Sequence, residues 1–473
     1  MLLNKSISDI ATLIKNKTIS AVDLVNEAYE KIERLDSQIN SFITIRNKKE
    51  VIKEAEEADK KNIGTKNPLY GIPYSLKDAY VTTKIRTTCA SKVLNNFLSP
   101  YDATVYQKLK QAGAIMIGKN NLDAWGHGGS TENTDYGGGK NPWDTSRIPG
   151  GSSGGPAAAI SSRMVSFAIG EDTGGSIRNP SNMCNTSGLK VSYGRISRYG
   201  VIAYASSLDS VGPMAKSVED LALILETMVG KDKFDATSSI NKNFDYVKDL
   251  HKRTTKIIGL PKEFFGEGLD SRVRKIILKV AKEYETAGYK IAEVSIPLMK
   301  YGISIYYLTS LSETSSNMAR YDGVRFGNSR QLLSDETKRR IMLGSYALSA
   351  GYADELYKKA QKARTKLIKE FNKAFEVCDV LLCPVTPSPP AKIGELINDP
   401  LKSFLEDLYT GPINVAGLPS LAIPAGFTTN NLPVGMQLIG KRFHEEQLLQ
   451  MGYVYQQLTH WHIKKPPLLN QND

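Results

Sequence analysis

Apolar residues recur along the chain in two rhythms. In VDLVNEAYEKI (22–32) they fall three and four apart, the spacing of an amphipathic helix. Ser20 and Asp23 stand at its head as a capping-box start, and the first 60 residues read as helical. LYGIPYSLKDAYV (69–81) reads as a strand region ending in a polar turn. YQKLKQAGAIMIGKN gives a helix, a glycine stop and a short buried strand at 114–118. MVSFAIGED is a strand and SVEDLALILETMVG an amphipathic helix. KIIGLP and KIAEVSIP are strands on either side of the helix RVRKIILKVAKEYETAGY. The run from TKRRIML to FNKAF predicts one long helical stretch. DVLLCPV is a buried strand, SLAIPAGFTTNNLPVGMQLIGK two strands joined by a TTNN turn, and EEQLLQMGYVYQQL a closing helix.

Helices and strands interleave throughout, which predicts an α/β layered fold. No internal repeat, low-complexity tract or Pro/Ser-rich linker divides the 473 residues. The expectation is therefore a single domain over 1–473, with an N-terminal helical region to about 65, a core over about 66–230, and a remainder that completes the same domain. No run reaches the roughly 18 apolar residues of a membrane span. The opening MLLNKSISDIATLIKNK lacks a signal-like apolar block, so the chain reads as cytoplasmic.

Formal charge is +12, a balance that can indicate nucleic acid. The lysines, however, alternate with glutamates on helical faces such as KEVIKEAEEADKK, without an arginine-rich run, so a solvated surface is the simpler reading. Cys378 and Cys383 in CDVLLC lack the spacing and the second pair of a zinc site; with Cys89 and Cys184 they read as buried free thiols.

One stretch breaks both rhythms. Between Gly126 and Gly155 lie ten glycines, and a long irregular segment inside a compact domain is usually functional. It ends in GGSSGG (150–155), with Pro156 suited to the first turn of the helix that follows. A phosphate loop would need lysine after the last glycine, and proline stands there. A nucleophile elbow fits G-x-S-x-G twice, but needs a strand running into the serine; Pro149 and a polar turn precede it, and His444, His460 and His462 pair with no evident aspartate. A third reading joins Lys77 in SLKD, Ser152 in GGSSGG and Ser176 in DTGGS. Serine is a weak nucleophile until a base takes its proton. With only five histidines, lysine is a plausible base. A lysine in water is neutral about once in 2,500 at pH 7; half-neutrality requires about 4.6 kcal/mol, which burial can supply. The apolar flank GIPYSL is compatible with such burial, and a second serine could relay the proton.

Lys77 in GIPYSLKD, GGSSGG and DTGGSIR together resemble the amidase signature family. Within it the chain is similar to the glutamine-hydrolysing subunits of tRNA-dependent amidotransferases, through TTCASKVLNNF, YDATVYQKLKQAGAIMIGKNNLDA, GGSTEN, KNPWD, SGLKVSYGRISRYGVIAYASSLDSVGP and TKRRIMLGSYALS. The resemblance implies one α/β/α domain around a large mixed β-sheet, a sheet that periodicity alone does not give. It implies Ser176 as nucleophile on the glutamine side-chain amide, Ser152 as bridging serine after a cis peptide, Lys77 as general base and Ser153 as a hydrogen-bonding support. The backbone amides of Thr173, Gly174, Gly175 and Ser176 would receive the developing oxyanion. Free glutamine carries a carboxylate and an ammonium, and Arg340, Asp407 and Tyr306 match the positions where the family places its glutamine contacts.

The resemblance also implies no cofactor or metal in this chain, with ATP and magnesium used by a partner subunit. The partners would be the B and C subunits of a heterotrimer, and the acceptors Glu-tRNA(Gln), Asp-tRNA(Asn) or both, met mainly through the partner. Plainer uses exist for each residue type. A serine between glycines is commonly a turn residue, a lysine before aspartate is commonly exposed, and His127 reads as a packing or hydrogen-bonding residue. A stand-alone amidase of the same family and a non-catalytic scaffold are the alternatives. Pro156, Asn179 and Asn185 depart from the family's usual serine, glutamine and glycine, as do WGH (125–127) and GGGK (137–140).

Overall fold

The computed structural model describes residues 1–61, 67–241, 244–325 and 327–469. Its strands are β1 (Phe42–Ile45), β2 (Pro73–Lys77), β3 (Ile115–Asn120), β4 (Phe167–Asp172), β5 (Ser187–Lys190), β6 (Ser210–Ala215), β7 (Ile257–Pro261), β8 (Lys290–Val294), β9 (Val380–Pro384), β10 (Ser420–Phe427) and β11 (Pro433–Gly440). They form one mixed sheet of eleven strands, in the order β1-β3-β2-β4-β6-β5-β10-β11-β9-β7-β8. Every residue of β2, β3, β4, β5, β6, β9 and β11 is buried. A strand buried at every position has both faces covered, so helices lie on either side of the sheet, and the α/β expectation holds.

Two parallel pairings place the chemistry. β2 pairs with β3, Lys77 opposite Asn120, and with β4, Leu76 opposite Ile169. The C-terminal ends of β2 and β4 thus lie side by side in the interior of the sheet, where the chain turns out into irregular loops. The helix Gly154–Ser161 follows the glycine-serine loop and packs on β4 and β2. It is apolar all round, as the AAAI run requires of a fully buried helix.

Local signals read from sequence are realised at many points. Ser20 and Asp23 form a reciprocal capping box on Ala21–Ile39, and the TTNN turn joins β10 to β11. The first 60 residues are not wholly helical, because FITI forms the edge strand β1. The long helical stretch is also broken. Asp335–Leu348 ends before Gly351, whose φ of 88° no right-handed helix admits, and a π-turn over Asp354–Lys358 leads into Lys359–Val377. An additional helix, Gly302–Met318, packs along Asp335–Leu348. Gly344 makes this possible: a Cβ there would lie 2.0 Å from the Leu311 carbonyl oxygen.

The start of the buried helix is held equally tightly. A Cβ on Gly155 would lie 2.4 Å from the Asn121 carbonyl oxygen, 2.6 Å from that of Ser41 and 2.7 Å from the Asn121 nitrogen. All three are backbone atoms with little freedom to retreat. Gly155→Ala is therefore expected to destabilise the fold by about 1–3 kcal/mol, read as a lowered midpoint in thermal unfolding. An unchanged midpoint would mean that the loop and helix can shift as one body.

Candidate active site

Lys77 ends β2 with its side chain fully buried at 0% exposure. Its Nζ donates to Ser152 Oγ at 2.8 Å, to the Glu171 carbonyl oxygen at 3.2 Å and to Glu171 Oε2 at 3.1 Å. The burial expected from GIPYSL is present. The Glu171 carboxylate at contact distance is an addition that the flanking sequence does not announce.

The glycine-serine loop reaches Lys77 because it has shed side chains. A Cβ on Gly151 would sit 2.1 Å from Asp123 Oδ2 and 2.6 Å from the Ser130 nitrogen. Asp123 organises the glycine-rich segment beneath, accepting from the amides of Ser130, Thr131 and Asn133. The Gly151–Ser152 peptide is cis. The Ser153 amide donates to the Ser176 carbonyl at 3.1 Å, and Ser153 Oγ donates to the Glu171 carbonyl at 3.2 Å. Ser153 thus ties the loop to β4 and to the turn that carries Ser176. Ser152 and Ser153 are fully enclosed, whereas Ser176 keeps 7% exposure, so within this group it is the hydroxyl nearest to solvent.

DTGGSIR is shaped by Asp172, the last residue of β4. Its Oδ1 accepts from the Gly175 amide at 2.8 Å and its Oδ2 from the Ile177 amide at 3.0 Å. The Arg178 guanidinium donates to both carboxylate oxygens, at 3.0 and 3.1 Å. Burial alone would raise the pKa of Asp172; Arg178 and the amides hold it down to about 2. The backbone therefore wraps a fixed anion. The Gly175 amide, one of the four expected to receive an oxyanion, is engaged by that anion. Those of Thr173, Gly174 and Ser176 donate to no protein group among the described residues.

The proposed glutamine contacts come from the second half of the chain and converge on this turn. A Cβ on Gly174 would lie 2.2 Å from the Tyr306 hydroxyl, so the ring sits directly on the turn. Asp407 approaches Gly175, where an added Cβ would be 3.5 Å from its Oδ1. Its Oδ2 accepts from the Tyr307 hydroxyl at 2.6 Å. Burial pushes the Asp407 carboxyl up to about 7, against the pull of Tyr307 and Arg340. Arg340 projects from Asp335–Leu348, pairs with Glu336 at 2.7 Å and donates to the Tyr204 hydroxyl at 2.5 Å. It lies among the rings of Tyr204, Tyr307 and Phe404, and its Nη2 donates to no group among the described residues.

Sequence reasoning missed Glu171, Asp172, Arg178, Tyr204 and Tyr307. Glu171 and Asp172 had a signal: two acids closing an apolar strand directly before a glycine turn. The tyrosines had none, since their roles depend on packing between distant segments. His127 is buried, with Nδ1 3.2 Å from Thr337 Oγ1 and its ring edge-on to Tyr204, as a packing residue would be. All four cysteines are buried free thiols. Among the departures, Asn185 takes φ 56°, a conformation in which asparagine is the usual substitute for glycine. Pro156, in place of serine, falls in the first turn of the helix Gly154–Ser161, as expected, where a missing N–H forfeits no intrahelical bond. Among the described residues no group of three His, Cys, Asp or Glu could hold a metal, and no helix is long and apolar enough to cross a membrane.

A buried lysine bonded to a serine, a second serine on the adjoining turn, and that glycine turn wrapped round an anion point to an amide-cleaving class of enzyme. Residues 23–449 match the Amidase family, and the chain belongs to it. It is 45% identical to the A subunit of glutamyl-tRNA(Gln) amidotransferase from Methylobacillus flagellatus and 46% identical to that from Coxiella burnetii, in each case over 98% of this chain and 99% of the relative. The crystal structure of the A subunit of glutamyl-tRNA(Gln) amidotransferase from Thermotoga maritima superposes with a TM-score of 0.82 at 38% identity, covering 95% of this chain and 94% of that one.

Asp172→Asn keeps the shape of the side chain and leaves Arg178 as an unpaired buried cation. The expected cost is about 3–5 kcal/mol. The pH dependence follows from the depressed pKa. The stability due to the Asp172 carboxylate is complete above its ordinary value of 3.8 and is lost as pH falls toward about 2. Unfolding titrations between pH 4 and pH 2 should show a smaller loss of stability for the Asn variant than for the parent; equal losses would place the acid sensitivity elsewhere.

Proposed function

We propose that this chain is the glutamine-hydrolysing subunit of a tRNA-dependent amidotransferase, with Ser176 as nucleophile, Ser152 as bridge and Lys77 as base. The observation that carries this reading is the buried Lys77–Ser152 hydrogen bond of 2.8 Å, held against the turn on which Ser176 opens to solvent. Near full-length similarity to the A subunits of such amidotransferases supports the choice of substrate.

Ser176 Oγ attacks the side-chain carbonyl carbon of glutamine while its proton passes to Ser152 and the Ser152 proton passes to Lys77. The amides of Thr173, Gly174 and Ser176 are the donors free to meet the oxyanion, and they are fixed in advance by the turn around Asp172. The proton returns through Ser152 to the amide nitrogen, the C–N bond breaks, and ammonia leaves a γ-glutamyl ester that water then hydrolyses. Arg340, through its unengaged Nη2, suits the α-carboxylate of glutamine, and Asp407 the α-ammonium, with Tyr306 between them and the reacting carbon. A basic and an acidic group converging beside the nucleophile favour an amino-acid substrate over the simple amides of a stand-alone amidase. Ammonia passes to a partner subunit that uses ATP and magnesium to amidate Glu-tRNA(Gln), Asp-tRNA(Asn) or both. The working assembly is a cytoplasmic heterotrimer in which this chain joins the B and C subunits.

Ser176→Ala in the assembled complex should reduce ammonia release from glutamine to background while the melting temperature stays near that of the parent; full activity would end the nucleophile assignment. Asp407 adds a pH signature. Its carboxyl, at about 7, is neutral below that pH and anionic above it, and only the anion pairs with an ammonium. KM for glutamine should therefore fall as pH rises from 6 to 8, and Asp407→Asn should flatten that dependence at a raised KM. A KM that ignores pH in the parent would remove Asp407 from the substrate site.

A further inference from the structure

Lys77 has three acceptor contacts: Ser152 Oγ, the Glu171 carbonyl oxygen and Glu171 Oε2. An ammonium satisfies three acceptors with three hydrogens, whereas a neutral amine has two hydrogens and one lone pair. Because Glu171 offers two acceptors, it takes both hydrogens of the neutral amine, and the lone pair is left facing the Ser152 hydroxyl. One residue thereby aims the base.

The far side of Glu171 fixes its charge. Thr173 Oγ1 lies 2.5 Å from Glu171 Oε1 and 2.7 Å from Asp209 Oδ1. A hydroxyl has one hydrogen and can give it to only one carboxyl, so the other contact needs a hydrogen from the carboxyl itself. Asp209, pushed up to about 8 by burial and by Glu171, is the protonated member. It donates to Thr173, and Thr173 donates to Glu171. Asp209, Thr173, Glu171, Lys77 and Ser152 then form one directed chain, with the negative charge on Glu171 at 3.1 Å from the amine.

We propose that Glu171 is a positioning residue for amide hydrolysis, orienting the free amine of Lys77 onto Ser152 and neutralising the ammonium that forms when Lys77 accepts the serine proton. This rests on the reading of Lys77, Ser152 and Ser176 given above and adds a fourth member to it. In the acylation step the Ser176 proton moves to Ser152 and that of Ser152 to Lys77. A C–O bond forms, and the new positive charge appears beside a carboxylate already in place. The return of the proton to the leaving nitrogen reverses the pairing.

Other titratable groups facing this cluster are common to the parent and to a Glu171 variant. Asp123 is pushed up to about 7 by burial. Burial drives the Cys89 thiol and the Tyr80 hydroxyl far up. Asp78 faces Lys119, and Arg198 acts on Asp209. Asp209 is the exception, because Glu171 helps to raise it, so parent and Glu171 variants are compared in an Asp209→Asn background, whose amide keeps the donation to Thr173 without titrating.

The test is the pH dependence of labelling of the full-length chain by a fluorophosphonate. In that reaction the P–F bond breaks, a bond from Ser176 Oγ to phosphorus forms, and the serine proton leaves through Ser152. In Glu171→Gln the ammonium loses its counter-charge, so the acidic limb of the rate profile should move to lower pH by about one unit or more. The weaker base should slow labelling at its optimum by at least about tenfold. Glu171→Asp, which keeps the charge, should hold the limb near the parent's position while the rate falls; it serves also if the Gln variant does not fold. A limb that stays in place for Gln, or moves as far for Asp as for Gln, overturns the proposal, since loss of a purely structural contact would change stability and not the limb. Absence of Ser176 labelling in the parent would instead remove the nucleophile reading, and this inference with it.

Discussion

The site depends on a cation-forming group placed where no water can serve it. Lys77 is wholly enclosed, so each of its hydrogens and its lone pair must be met by protein. That requirement explains why the residues around it come from adjacent parallel strands. β2 delivers the amine and β4 delivers Glu171 at neighbouring strand ends, while the glycine-serine loop brings Ser152 in from the side. A surface lysine would be solvated, mobile and charged. Here β4 and the glycine-serine loop replace solvent with three acceptors.

Four of the buried aspartates near the site differ in state because their neighbours differ. Burial raises all of them. Asp172 alone has a guanidinium across both oxygens and stays near 2, and so serves as the permanent anion around which the turn carrying Ser176 is wound. Asp123 and Asp407 lie near 7, and Asp209, beside Glu171, near 8. One residue type thus provides a fixed structural charge, a hydrogen donor and two groups that titrate near neutrality, according to which cation or hydroxyl packs against it.

Much of this was legible in the sequence, for identifiable reasons. β9, β10 and β11 are apolar runs bounded by turn residues, and DVLLCPV and the TTNN hairpin announce them. The proposed group of Lys77, Ser152 and Ser176 was legible through the family resemblance of its three segments, and through glycine crowding around serine, which is costly unless something needs close approach, as Gly151 against Asp123 does. β1 is only four residues long and sits at an edge. β6 carries Pro213 and little alternation, and is held by antiparallel pairing to β4 and β5. Gly302–Met318 is rich in serine, threonine and β-branched residues, poor helix formers, and its helicity comes from packing on Asp335–Leu348. Glu171 and the tyrosines escaped because their partners lie far away in sequence. Thr173 bridging Glu171 to Asp209 spans 36 positions, and Arg340 reaching Tyr204 spans 136.

The division of the site between chain segments has a consequence for how such a protein can change. The residues proposed to break the bond all lie within Lys77 to Ser176, at the C-terminal ends of β2 and β4, whereas Tyr306, Arg340 and Asp407, the proposed glutamine contacts, ride on later helices and a turn. Reactivity and selectivity are therefore modular. The later segments can be remodelled for a different carbonyl compound while the proton-handling residues keep their places, so libraries aimed at new substrates should be confined to that half.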